Sequence, residues 1–116
     1  SQDGCHLESP GKEAEMSRQA KRLLAPMAAV LKGLGNDVII EGHTDNVPIL
    51  RGPFKTNWEL SVARSYSVIE YLSKELGVPQ DIFTAAAYGE HRPVVPNDTP
   101  EGRAKNRRIE IVVMRK

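Results

Sequence analysis

The sequence predicts an α+β two-layer sandwich, an α/β arrangement in which helices pack on one mixed β-sheet. Apolar residues recur at helical spacing over two long stretches, 13–34 and 56–76. Short β-branched runs at 38–40 and 109–113 alternate with those stretches, and clusters of Gly and Pro separate them. The 116 residues make room for one domain, and a chain of this size buries roughly 65% of its unfolded surface. A core is therefore attainable without disulfides or metal, and no cofactor is expected.

Composition narrows the function. A net charge of +1 supplies no protein-wide field for nucleic acid or a membrane surface. Cys5 is the one cysteine, so no internal disulfide can form and the redox compartment cannot be read from it. No apolar run approaches the roughly 20 residues of a membrane span, and Ser1-Gln2-Asp3-Gly4 does not resemble a signal peptide. The expectation is a soluble domain, or the soluble piece of something longer.

Taken in order, residues 1–12 carry Gly4, Pro10 and Gly11 without a period and read as an extended segment, with a short edge strand near Cys5 to Leu7 as one option. The domain proper is expected over 13–116. From Glu13, the residues Met16, Ala20, Leu23, Leu24, Met27, Val30, Leu31 and Leu34 mark an amphipathic helix that Gly33 and Gly35 end. Pro26 inside it predicts a kink. Val38-Ile39-Ile40 reads as a strand covered on both faces, with Gly42 freeing the backbone to turn into His43-Thr44-Asp45.

Pro48, Gly52 and Pro53 make 46–55 a loop. Thr56-Asn57-Trp58-Glu59 has the form of a capping box, opening a helix that should run to Leu76 before Gly77. At 100° per residue, Trp58, Val62, Ser65, Ile69, Leu72 and Leu76 share the expected core face, which leaves Arg64 on an accessible flank. Phe83 to Tyr88 reads as a strand despite its alanines, because Gly89 and Pro93 end it. Thr99-Pro100 opens a short helix to about Asn106, and Ile109, Ile111 and Val113 alternate in a last strand.

His43, Thr44 and Asp45 then stand at a strand's C-terminal end, where sheets flanked by helices usually bind ligands. Other readings compete with a site there. Asp45 in such a turn is often only an Asx-turn former, and His43 a hydrogen-bonded turn residue. The basic run from Arg103 to Arg108 suits a nucleic-acid patch, but aromatics are 5% of the chain, so pairing with Glu90, Asp98 or Glu101 is preferred and no nucleic acid is expected. A zinc hydrolase built on His43, Asp45 and His91 lacks a third histidine at ligand spacing.

Several separated motifs carry a resemblance. Gly42-His43-Thr44-Asp45, Asn57 with Leu60-Ser61 and Arg64, Tyr88-Gly89-Glu90, Gly102-Arg103 and Asn106-Arg107-Arg108 follow the OmpA-like pattern. Asp45 to Ile49, the Trp58 helix start and the 96–108 loop and helix look like the flagellar stator branch, MotB. The resemblance implies a periplasmic domain that binds the stem peptide of peptidoglycan without cutting it. It implies a homodimer and, through a part not present here, a membrane-embedded stator partner. An outer-membrane or lipoprotein anchor is the alternative within the family. By the same resemblance Asp45, Arg64 and Asn57 are the binding residues, Arg103, Asn106 and Arg107 form a basic helix near them, and His43, Thr44 and Leu60 complete the set. The stretch Cys5 to Lys12 departs from the family's first strand and turn.

The chemistry of the residues fits that implication. Diaminopimelate presents an ammonium and a carboxylate on one carbon, which calls for one anion and one cation held close together. Asp45 and Arg64 are the expected pair, with the guanidinium fork gripping the carboxylate.

Overall fold

The structure is a computed structural model that describes residues 16–115 and the backbone of 2–8. Its order is β1 (Gln2–Glu8), α1 (Arg18–Leu34), β2 (Val38–His43), α2 (Asn57–Glu70), β3 (Phe83–Gly89), α3 (Pro100–Asn106) and β4 (Arg108–Met114). The four-stranded sheet runs β1-β4-β2-β3. β4 is antiparallel to both its neighbours, while β2 and β3 are parallel and joined by the crossover through α2. The mixed two-layer arrangement is the one expected. Among the described residues no helix is long and apolar enough to cross a membrane.

Each helix starts on a side-chain cap. Ser17 accepts from Ala20 N at the head of α1, and Thr56 and Thr99 do the same for Glu59 N and Gly102 N. Glu13 to Glu15, expected to begin α1, lie outside the described residues. Glu59 reaches back to Lys55 N at 3.2 Å, one residue before the partner a full capping box would use. α2 closes in a π-helical turn over Tyr71–Glu75, so the helical path ends one residue short of Leu76.

The core lies between helices and sheet: Leu24, Ala28 and Leu31 of α1, Val68 of α2 and Leu72 of the π-helical turn that closes it, Val38 and Ile40 of β2, Ile109 and Ile111 of β4. A fully buried leucine such as Leu72 contributes about 1.5–3 kcal/mol relative to an exposed one. Two expected faces are corrected here. On α1, Leu23, Val30 and Leu34 are exposed, so the buried stripe is narrower than the apolar pattern. On α2, Trp58 and Val62 are exposed, whereas Asn57, Leu60, Ser61, Arg64 and Ser65 are buried. The face is rotated by roughly 80° from the expected one. Polar side chains form it because the end of the sheet beneath offers backbone groups to bond: Ser65 Oγ donates to Ala86 O at 2.7 Å, and Ser61 Oγ accepts from Gly89 N at 3.1 Å.

β2 is also not covered equally on both faces. Val38, Ile40 and Gly42 are buried against the helices, while Ile39 and Glu41 on the opposite face are half-buried. Gly42 sits inside the strand rather than at a turn. A Cβ there would lie 2.1 Å from the Ser61 carbonyl oxygen, so the missing side chain is what lets α2 lie on the sheet.

Candidate functional site

The site is built where β2 runs out. The β2–β3 register shifts between Gly42 and His43, and Gly89 closes β3 with φ +58, a left-handed backbone natural to glycine. That turn aims the Gly89 carbonyl at Thr44 N, which donates at 2.8 Å. Thr44 Oγ1 donates to Asp45 O at 2.8 Å, and both residues are buried.

Asp45 makes an Asx turn and an ion pair at once. Oδ1 accepts from Val47 N at 3.1 Å, and Oδ2 accepts from Arg107 Nη1 at 2.9 Å. The carboxylate is buried, whereas the Arg107 side chain is 21% exposed. Asn57 fastens the loop from the other side, its Nδ2 within 3.3 Å of Asp45 O, 3.1 Å of Val47 O and 3.4 Å of Glu90 Oε1. Arg64 is 2% exposed, not on an accessible flank, and its Nη1 lies 3.5 Å from His43 O. The two arginines thus come from different elements, Arg64 from beneath the loop and Arg107 from the α3–β4 junction. Arg107 thus joins Arg64 among the cations gathered around this loop.

Other expected site residues do structural work. Leu60 is fully buried and packs. Asn106, also fully buried, holds the 94–97 segment: Oδ1 accepts from Val94 N and Val95 N, and Nδ2 donates to Val95 O and Asn97 Oδ1. Arg103 Nη1 donates to Asn97 O at 3.0 Å. Arg103 and Asn106 therefore shape the loop before α3. Arg107 pairs with Asp45 and Arg108 with Glu110.

His43 points to the opposite face of the sheet. Its Nε2 lies 3.4 Å from Glu41 Oε1 and 3.7 Å from Glu110 Oε2, and its ring stacks on Tyr88 at 5.2 Å. Arg108 Nε donates to Glu110 Oε2 at 2.6 Å, and the Arg92 guanidinium lies over Tyr88. Burial pushes the Glu41 carboxyl above the usual carboxylate range, and the Glu110 charge adds to it against Arg92 and Arg108. Among the described residues, Glu41, His43 and Glu110 are the group whose ligand atoms lie close enough for a cation, within 4.8 Å, and Arg108 already bonds that Glu110 carboxylate. His43 lies against Glu41, Asp45 against Arg107 and His91 against Trp58, and among the described residues these three do not gather as a metal-ligand group.

Ser61, Tyr88 and Glu90 belong to the site's framework without having been read as such. Ser61 recurs with Asn57 and Arg64 at helical spacing, and Tyr88 and Glu90 flank Gly89 in one of the motifs that carry the resemblance.

Fold and loop together define a two-layer α+β domain with a buried, charge-lined loop at the C-terminal end of β2. The chain belongs to the OmpA family, whose profile matches residues 11–107. It is 44% identical over 78 residues to motility protein B of Bacillus subtilis, covering 67% of this chain and 30% of that protein. It is 45% identical over 76 residues to the peptidoglycan-binding protein ArfA of Mycobacterium tuberculosis, covering 66% of this chain and 22% of that one. The cell wall anchor of the Pseudomonas aeruginosa T6SS superposes with a TM-score of 0.88 at 31% identity, covering 99% of this chain and 82% of the anchor. The chain spans less than half the length of the curated relatives it matches.

Proposed function

We propose that this domain binds peptidoglycan without cutting it, and so anchors a bacterial envelope protein to the wall from the periplasm. The observation that carries the reading is the buried Asp45 carboxylate facing the half-open Arg107, with Arg64 under the same loop. A diaminopimelate zwitterion would exchange that internal pair for two ligand pairs, its ammonium on Asp45 and its carboxylate on an arginine. His43, Thr44, Asn57, Leu60, Arg103 and Asn106 then act by shaping the loops around the ligand. The names of the relatives support wall attachment.

The likeness to motility protein B favours a motor stator subunit, working as a dimer beside a membrane-embedded partner. The fit to a T6SS wall anchor favours the same domain in another envelope machine.

Purified protein should sediment with insoluble peptidoglycan and release no soluble fragments; muropeptides appearing over time would refute it. Asp45→Asn keeps the shape of the turn and removes the charge, and the loss of a charge-assisted hydrogen bond, about 1.5–3 kcal/mol, predicts roughly tenfold to a hundredfold weaker binding of a diaminopimelate peptide. Arg64→Ala and Arg107→Ala test the two cations by calorimetry, with Arg18→Ala on exposed α1 as the control. Two residues gripping one zwitterion should lose less together than the sum of the single losses. Parent-like binding by folded Asp45→Asn would remove the loop from the site.

A further inference from the structure

We propose that Trp58 and His91 form a saccharide platform beside the charged loop, so that the domain takes the glycan of the wall as well as its peptide. The proposal rests on the wall-binding reading. Trp58 is 50% exposed on the first turn of α2, and its ring meets exposed His91 at 5.3 Å between centroids with a 50° tilt. A large aromatic surface is thereby left open to solvent at a helix start.

The platform is continuous with the loop. Trp58 backs directly onto Gly89, where an added Cβ would lie 3.3–3.4 Å from it, and the Gly89 carbonyl fixes Thr44 next to Asp45. Asn57, the residue before Trp58, bonds both the loop and Glu90, the residue before His91. A pyranose ring presents a flat face of C–H bonds edged by hydroxyls. That shape suits the negative face of an indole, with the Glu90 carboxylate and the imidazole at the edge for the hydroxyls. Diaminopimelate, the third residue of the stem, lies about three extended residues from the sugar, roughly 10 Å. One peptide-bearing disaccharide can therefore reach both places. Val62 and Tyr66 continue the exposed apolar strip along α2, which makes a second copy of this chain the competing occupant.

Trp58 is the sole tryptophan, so its fluorescence reads the platform alone. A diaminopimelate tripeptide and the same tripeptide on its N-acetylated disaccharide are titrated by calorimetry and by emission, with ultracentrifugation alongside. The disaccharide form should bind about three- to tenfold tighter, the scale of one aromatic contact, and should shift the emission. Trp58→Ala should erase that difference while leaving tripeptide affinity within about twofold. His91→Ala, outside any helix, should reduce the difference without touching a helix start. Equal affinities for the two ligands, or a difference that survives Trp58→Ala, overturns the platform alone; binding of neither ligand overturns the wall-binding reading with it. A sugar-independent emission shift that tracks dimer formation assigns the strip to a second copy and also overturns it.

Discussion

The two faces of the sheet are made from alternate residues of the same strands, yet they are stabilised by different physics. Toward the helices stand Val38, Ile40, Ile109 and Ile111, with Gly42 where α2 comes closest. The register sets Glu41 opposite Glu110 and His43 opposite Arg108 on the other face, with Tyr88 and Arg92 over them. Close packing rules the first face, where added volume is costly and shape is everything. Charge balance rules the second, where two facing carboxylates are tolerated because two guanidiniums lie beside them.

That contrast can be broken most severely at Gly42. Gly42→Ala sets a methyl against the Ser61 carbonyl, and since backbone must move, a loss of about 3 kcal/mol or more is expected from denaturant unfolding. A parent-like midpoint would mean that α2 does not lie so near the sheet. On the charged face, Arg108→Met removes the bond to Glu110 and those to the Asn106 and Arg92 carbonyls. A loss of about 1–3 kcal/mol is expected, because the Glu110 charge and the Asn106 carbonyl are left without it.

The smallest effect tests the charge argument by its sign. The folded state raises the Glu41 pKa, so it holds that proton more tightly than the unfolded chain does. The stability this gives is full below the ordinary carboxylate range and is lost as pH rises through the raised value. Glu41→Gln should therefore equal or exceed the parent at pH 7, by on the order of 0.5 kcal/mol, and the gain should vanish in acid. A variant less stable than the parent at pH 7 would show that the arginines hold the Glu41 charge more than burial and Glu110 oppose it.

The same contrast explains what could be read from the sequence. The helix-side pattern was legible: β2, the alternation in β4, the cap at Thr99 and the order of elements follow from local spacing and turn chemistry. β3 was legible from its boundaries, since its alanines say little. The buried face of α2 was not. Trp58 and Val62 looked like core because apolar residues usually are, but the sheet end beneath α2 presents backbone groups that polar Asn57, Ser61 and Ser65 satisfy. Asp45 could be located as a turn residue, whereas its pairing with Arg107, 62 positions along, depends on β4 lying beside β2. Asn106 was grouped with the basic helix, and only the folded 94–97 segment shows what it holds.

The order of the sheet also bears on how such a domain is made. β4 is the last strand in the chain, yet it lies between β1 and β2, and β1 pairs with it from Gln2↔Met114 to Glu8↔Arg108. A chain emerging from a ribosome or a secretion channel presents β1, α1, β2, α2 and β3 before the strand that joins them into one sheet. Until Ile109 and Ile111 arrive, the apolar sides of Val38 and Ile40 have no strand beside them on that edge, and Arg107 is not yet fixed against Asp45. Such long-range closure is slow and leaves sticky intermediates. Residues 107–111 thus complete both the core and the charged loop, and a chain cut short before them lacks the two together.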